Sequence, residues 1–157
     1  LARNQRKSLT VPGRYDQIRH IGAFVTEGAQ LANLGEDDIF HIELACDEAC
    51  TNIIEHAYGG EDGGPIEIIW HITEQTFTIT FIDQGKPFDP DEVPLPLSTQ
   101  ELQNLDDMDE LKAGGLGIHF MRNLMDELIF AFGTDRGNQL IMIKQLDEPS
   151  SSWLAPT

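Results

Sequence analysis

The sequence contains no long hydrophobic run. No stretch approaches the ~20 consecutive apolar residues of a membrane-spanning helix, although 40% of the 157 residues are hydrophobic. The first ten residues, LARNQRKSLT, carry basic side chains but lack the apolar core of a signal peptide. We therefore expect a cytoplasmic protein with no membrane partner. The chain does not begin with methionine, so a domain cut from a larger signalling protein is an alternative.

Basic residues are scarce. The chain has 10 Lys and Arg residues against 27 Asp and Glu residues, which gives a formal net charge of −17. A field of this sign repels phosphate backbones and argues against direct binding of nucleic acid. It suits a protein partner with a basic surface, although solubility alone would explain the same charge.

Cysteine is limited to Cys46 and Cys50. A spacing of four residues places both on one side of a helix, and no further ligands stand at the spacing of a zinc site. The simplest interpretation is a pair of buried free thiols in a reducing compartment.

The apolar patterns predict the element order β-α-α-β-β, a long irregular segment, then α-β-β. Apolar residues recur at helical spacing from Tyr15 to Leu34 and from Glu36 to Tyr58, and β-branched runs form two hairpins. Strands that cluster in hairpins indicate an α+β two-layer sandwich, with a mixed, mostly antiparallel sheet and helices on one face. The predicted parts are one domain at 8–146, a lid at about 86–113, and flexible tails at 1–7 and 147–157.

The stretch DEACTNIIEHAY, residues 47–58, contains an unusual polar file. Glu48, Asn52 and His56 recur every four residues and would cover about 80° of a helix, beside an apolar face. An Asn oxygen is a suitable ligand for Mg²⁺, and a carboxylate one turn earlier could accept a proton from a hydroxyl or water. A solvated helix face with one local hydrogen bond would explain the same residues.

Two glycine-containing segments follow. In FIDQGKPFDP, Asp83 ends a strand and could accept a hydrogen bond from an exocyclic amine, while Gly85 would let a flat base approach the backbone. A plain Asx turn is the alternative. In AGGLGIHF, Gly115 and Gly117 lead into a helix whose first amides suit phosphate groups, or they form a simple hinge.

Four segments of the chain, taken in order, resemble the N box and the three glycine boxes of the GHKL ATPase superfamily. They are DEACTNIIEHAY, DQGKPFDP, GGLGIHFMRNLMDEL and GNQLIMIK. Within it, the chain is most similar to the bacterial anti-sigma-factor serine kinases of the RsbW type. The resemblance extends from about Ser8 to Lys144. It implies the Bergerat α/β sandwich, with ATP held between the N-box helix and the lid.

The resemblance also implies a role for each site residue. Asn52 matches the Mg²⁺ ligand and Glu48 the general base that activates the attacking hydroxyl. Asp83 matches the residue that recognises adenine, with Gly85 beneath the base. The glycines of the second box, near the phosphates, are Gly115 and Gly117.

Family members of this type hold a sigma factor inactive and phosphorylate a Ser or Thr of a STAS-domain anti-anti-sigma protein. The added negative charge weakens binding of the STAS protein to the kinase, and the kinase then binds the sigma factor again. Homodimers occur in the family, so a homodimer is a further expectation.

Two features depart from the family pattern. The lid is strongly acidic, and Lys112 is its candidate cation near the γ-phosphate. Asn138 stands where many members have Thr, so we expect an amide to replace a hydroxyl contact to phosphate. An alternative function is therefore a non-catalytic module that binds a sigma factor or STAS partner without transferring a phosphoryl group. The catalytic part of a histidine kinase is disfavoured, because no two-helix segment with a phosphoacceptor His is present.

Overall fold

The structure, a computed structural model, describes residues 4–87 and 116–146. The predicted element order is confirmed for these residues. The elements are β1 (Gln5–Pro12), a 3₁₀ turn (Tyr15–Gln17), α1 (Ile18–Leu31), α2 (Glu36–Asn52), a π-helical turn (Ile53–Ala57), β2 (Pro65–Ile72), β3 (Thr76–Asp83), α3 (Leu116–Leu124), β4 (Glu127–Thr134) and β5 (Gly137–Gln145).

The five described strands form one sheet in the order β1-β2-β3-β5-β4. Each pairing in it is antiparallel, which confirms the α+β class and leaves no parallel pair among these strands. The β3–β5 pairing sets Asp83 opposite Asn138. Residues from two predicted motifs are thereby brought side by side.

The first strand begins earlier than expected. Residues 5–7 were predicted to belong to a flexible tail, but they pair with β2, where Gln5 lies opposite Ile72 and Lys7 opposite Trp70. The added pairs extend β1 along the whole length of β2. The second predicted tail, 147–157, lies outside the described residues.

The core lies between the helices and one face of the sheet. Alternate strand residues such as Trp70, Phe77 and Phe81 are fully buried on that face, as period-2 patterning requires. Helix α1 approaches closely at Gly28, where an added Cβ would lie 2.6 Å from the Trp70 ring. The absence of a side chain at Gly28 thus lets α1 approach the Trp70 ring on β2 closely.

The other face of the sheet carries the side chains that alternate with the core. Ile129, Ile141, Thr80 and Ile69 are neighbours across four strands, and Ile129 is 40% exposed. Thr80 and Ile141 are partly buried, and Ile69 is only 6% exposed.

Candidate functional site

Helix α2 supplies the first part of the site. Its apolar side, including Ile42, Cys46 and Ala49, is buried in the core, and acidic residues fill its first turn, where the helix dipole favours them. Glu48 and Asn52 are partly exposed on another side, one helical turn apart. The predicted pairing of a carboxylate and an amide on one face is therefore present.

Regular α-helix ends at Asn52, earlier than predicted. The backbone N–H of Tyr58 donates to the Ile53 carbonyl at 3.0 Å, five residues back, so the last turn is π-helical. The wider turn changes the direction of the side chains beyond Asn52, and His56 is exposed. Of the predicted file of three, Glu48 and Asn52 therefore lie in regular α-helix and His56 lies in the π turn.

The π turn packs against the segment that contains Gly85. The Lys86 N–H donates to the Ala57 carbonyl at 2.7 Å, and a Cβ on Gly85 would lie 2.4 Å from that carbonyl oxygen. Glycine is required here by the protein's own backbone. The contact with the Ala57 carbonyl explains the glycine at position 85 without the predicted approach of a nucleotide base to the backbone.

Asp83 ends β3 in a buried position, with 5% of its surface exposed. Its Oδ1 accepts hydrogen bonds from the Gly85 N–H at 2.9 Å and from Asn138 Nδ2 at 3.0 Å. The Asx turn considered as an alternative is therefore formed. Burial raises the pKa of Asp83, and the hydrogen bonds from Asn138 and Gly85 oppose that rise.

Asn138 does not occupy the place that was expected for it. It is 6% exposed and bonds to Asp83 and to the Gly85 carbonyl, at the position predicted for the base and not for the phosphates. The reason is the β3–β5 register, which sets Asn138 directly opposite Asp83. A sequence signal was available, because DQG begins at the last residue of one apolar strand and GNQ forms the start of another, and antiparallel pairing brings such positions together.

A small cavity connects these elements. Asn52, Asp83 and Asn138 line it together with apolar side chains, among them Ile118 and Met121 of α3 and Phe130 of β4. Its volume is about 20 Å³, room for about one water molecule. The described residues thus place three polar side chains in one small, otherwise mostly apolar cavity, which is smaller than a nucleotide.

The cavity also shows which predicted residues come together. Asn52 and Asp83 both line it, whereas Gly85 and Glu48 are not among its lining residues. Glu48 lies one turn before Asn52 on α2. Gly117 is the second residue of α3, whose first turn borders the cavity through Ile118. Gly115, Lys112 and most of the predicted lid lie outside the described residues.

Lys144 is a residue whose role the sequence did not indicate. Its Nζ donates to the Leu124 carbonyl at 3.1 Å, at the C-terminal end of α3, and lies 3.5 Å from an Asp38 oxygen. A cation at a helix C-terminus is favourable. Lys144 thereby joins α3 to β5 and to the start of α2.

The remaining chemistry of the described residues is limited. They contain no group of three or more His, Cys, Asp or Glu side chains arranged to hold a metal ion. Cys46 and Cys50 are free and buried, as predicted, and burial raises the pKa of both thiols. No helix within 4–87 or 116–146 is long and apolar enough to cross a membrane.

Comparisons with known proteins agree with this geometry. The family model for the histidine kinase-like ATPase domain matches residues 11–144. The serine-protein kinase RsbW of Halalkalibacterium halodurans is 33% identical over 138 residues, 88% of this chain and 82% of that protein. The RsbW of Listeria innocua is 29% identical over 142 residues, 90% of this chain and 87% of that protein.

Among solved structures, the SiaB–SiaC complex from Pseudomonas aeruginosa contains a chain with the same fold. The TM-score is 0.56 at 15% identity, and the match covers 88% of each chain. At this level of identity the likeness concerns the fold alone.

Proposed function

Because this chain belongs to the histidine kinase-like ATPase domain family and, within it, to the RsbW serine-protein kinases, we propose that it is a cytoplasmic anti-sigma factor. In this proposal it transfers the γ-phosphoryl group of ATP to a Ser or Thr of a STAS-domain anti-anti-sigma protein. Membership makes the chain an ATP-binding domain of a protein serine/threonine kinase. The sigma factor, the STAS partner and the roles of individual residues belong to the proposal.

The observation that carries the proposal is the shared cavity. Asn52 from α2 and Asp83 from β3 line one space, although they come from different elements. Asp83 would accept a hydrogen bond from the exocyclic amine of adenine. The Asn52 amide oxygen would bind Mg²⁺, which prefers oxygen ligands and keeps several waters, so a cluster of carboxylates is not needed. When bound, Mg²⁺ neutralises charge on the phosphate oxygens.

Glu48 is proposed as the general base. It lies one helical turn before Asn52 and is partly exposed, so a hydroxyl of a protein substrate can reach it. A carboxylate there would accept the proton of the attacking Ser or Thr. Phosphoryl transfer depends mainly on positioning and charge, and a single base on a rigid helix meets that requirement.

The phosphate side of the site is proposed from the first turn of α3. The amide of Gly117 stands there, and free N–H groups at a helix N-terminus favour anions. Gly115 and Lys112 complete this part of the proposal, with Lys112 as the cation near the γ-phosphate. The net charge of −17 supports partners with basic surfaces and not nucleic acid.

Binding of ATP is the first test. We expect calorimetry with Mg-ATP to show binding by the wild type and its loss in Asn52→Ala. Thr51→Ala is the matched control, because Thr51 neighbours Asn52 on α2 and is not among the residues that line the cavity. Absence of binding by the wild type would contradict the kinase proposal and favour a nucleotide-free module for sigma or STAS partners.

Phosphoryl transfer is the second test. With radiolabelled ATP and STAS proteins from the same genome, Glu48→Gln should keep ATP binding and lose transfer by about 10²-fold or more. Asp47→Asn removes the adjacent, exposed carboxylate and should transfer at the wild-type rate. Equal rates for Glu48→Gln and the wild type would remove the general-base role.

The homodimer also remains a proposal. The β4–β5 end of this row, where the 40% exposed Ile129 lies beside the partly exposed Ile141, offers an apolar surface on which a second copy could stack, as sheets do in sandwiches. Sedimentation should then show a dimer for the wild type and a monomer for Ile129→Glu. A monomeric wild type would exclude this interface.

A further inference from the structure

Two large apolar side chains, Phe40 and Leu44, lie on the surface of α2. Phe40 is 58% exposed and Leu44 is 39% exposed, and neither belongs to the buried core. The core side of the same helix is formed by other residues, such as Ile42 and Cys46, which are buried. Helix α2 therefore does not need Phe40 or Leu44 in order to pack against the rest of the fold.

The two side chains extend the line of site residues on α2 toward the start of the helix. Phe40, Leu44 and Glu48 recur every four residues within regular α-helix, so each lies about 6 Å further along the axis than the one before. At about 100° per residue, the three positions cover about 80° of the helix surface. The apolar pair thus ends one helical turn from Glu48, the proposed general base, on the same side of the helix.

We propose that Phe40 and Leu44 form the docking surface for the protein that accepts the phosphoryl group. This inference rests on the proposed function, in which Glu48 takes the proton of the attacking hydroxyl. A segment of the acceptor protein places an apolar side chain against Phe40 and Leu44, and its Ser or Thr then reaches Glu48. The two apolar residues determine which protein is bound, and they take no part in the chemical step.

The charge around the pair indicates what else the acceptor segment carries. Helix α2 contains six acidic residues and no Lys or Arg. Two of the acidic residues, Glu36 and Asp37, are exposed one helical turn before Phe40. Apolar contacts with charges at their rim bind a partner of opposite charge, and the charges speed its approach. The surface therefore fits a segment in which Lys or Arg flanks the apolar side chain.

Steady-state kinetics provides the first test. Transfer from radiolabelled ATP is measured against the concentration of a STAS-domain protein from the same genome, at saturating Mg-ATP. Loss of an aromatic contact at the interface should raise the KM of Phe40→Ala for the acceptor by about tenfold, with kcat within about twofold of the wild type. Leu44→Ala should change the same constant in the same direction. The Kd for Mg-ATP should equal the wild-type value in both variants.

Ile129→Ala is the matched control. Ile129 is 40% exposed, close to the value for Leu44, but it lies on the face of the sheet opposite to the one that packs against the helices. Its KM for the acceptor should equal that of the wild type. Phe40→Ala and Leu44→Ala both replace exposed side chains, so thermal unfolding should give the wild-type midpoint for each.

The basic flank of the acceptor is tested by salt. The combined variant Glu36→Gln and Asp37→Asn removes two exposed charges beside Phe40. It should raise the KM for the acceptor and reduce the rise of that KM with added salt, because salt screens exposed charges. An acceptor KM that neither salt nor this variant changes would overturn the basic flank.

The outcomes separate this inference from the proposed function. If the wild type transfers phosphoryl groups to no STAS protein of the genome, both fail. If the wild type transfers them and both alanine variants keep its KM for the acceptor, the kinase stands and the docking surface is overturned. Weaker binding of a sigma factor at an unchanged acceptor KM would assign the surface to that partner and overturn the inference as well. A lower unfolding midpoint or weaker Mg-ATP binding would show that Phe40 serves the protein's own fold, with the same consequence.

Discussion

The Tyr58 hydroxyl accepts a hydrogen bond from the Gln84 N–H at 2.8 Å, between the two site residues Asp83 and Gly85. The same hydroxyl donates to the Pro65 carbonyl at 2.6 Å, at the start of β2. One side chain after the π turn thus holds the turn that follows β3. The segment containing Asp83 is therefore held by contacts from the π turn and Tyr58 on one side and from β5 on the other.

Removal of that hydroxyl should weaken the fold. We expect Tyr58→Phe to lower the free energy of unfolding by about 1 kcal/mol, because the Gln84 N–H and the Pro65 carbonyl both lose a partner. Tyr15→Phe is the control, since its hydroxyl bonds to the exposed Glu55 and Tyr15 is 43% exposed. Urea unfolding should show a change below about 0.5 kcal/mol there. Equal losses in the two variants would contradict a special role for Tyr58.

Two glycines of helix α1, Gly28 and Gly22, should respond in opposite ways to substitution by alanine. A methyl group at Gly28 would lie 2.6–2.8 Å from atoms of the fully buried Trp70 ring. Overpacking costs about 1–3 kcal/mol and outweighs the gain of about 1 kcal/mol in helix propensity. Gly28→Ala should therefore destabilise the protein.

Gly22 is the matched position, because an added Cβ there meets nothing within 4 Å. Gly22→Ala should raise the free energy of unfolding by up to about 1 kcal/mol. Denaturant midpoints that shift in opposite directions would agree with the packing. A stabilised Gly28→Ala variant would show that α1 does not press on Trp70.

Much of this arrangement could be predicted from local patterns. Helical spacing identified α1 and α2, and alternating β-branched residues identified both hairpins, because these periods are properties of a few neighbouring residues. The membership of Asn52 and Asp83 in one site came from the family resemblance. The shared cavity is consistent with it.

Two features could not be predicted in that way. The π turn depends on whether the Tyr58 N–H bonds four or five residues back, a choice that side-chain spacing does not reveal. The contact between Asn138 and Asp83 depends on the register of β3 and β5, which are distant in sequence. Such pairings are determined by the packing of the whole sheet.

The cysteines give a prediction about reactivity. Burial is the main cause that raises the pKa of Cys46 and Cys50, and the nearby Asp47 adds to it. The reactive thiolate is therefore disfavoured at pH 8. An aromatic disulfide reagent should label neither thiol in the native protein and both after unfolding in guanidinium. Rapid labelling of the native protein would place a thiol at the surface.

Asp83 links stability to function, and Asp83→Asn should separate the two. Burial raises the pKa of Asp83 above its ordinary value, so ionisation of this side chain opposes folding. An Asn oxygen can still accept from Gly85 and Asn138, and the variant carries no charge. We expect Asp83→Asn to be more stable than the wild type at pH 7. Its ATP affinity should fall by about tenfold or more, since an NH₂ group would face the amine of adenine.

The sign of the pH dependence follows from the raised pKa. The cost of ionising Asp83 is fully present above its folded-state pKa and absent below the unfolded-state value. The stability difference between Asp83→Asn and the wild type should therefore shrink as pH falls from 7 toward 4. Asp37→Asn, an exposed carboxylate in the first turn of α2, is the control and should give no gain in stability. Urea unfolding at several pH values measures both variants, and a constant difference across the range would show that the charge of Asp83 is not its cause.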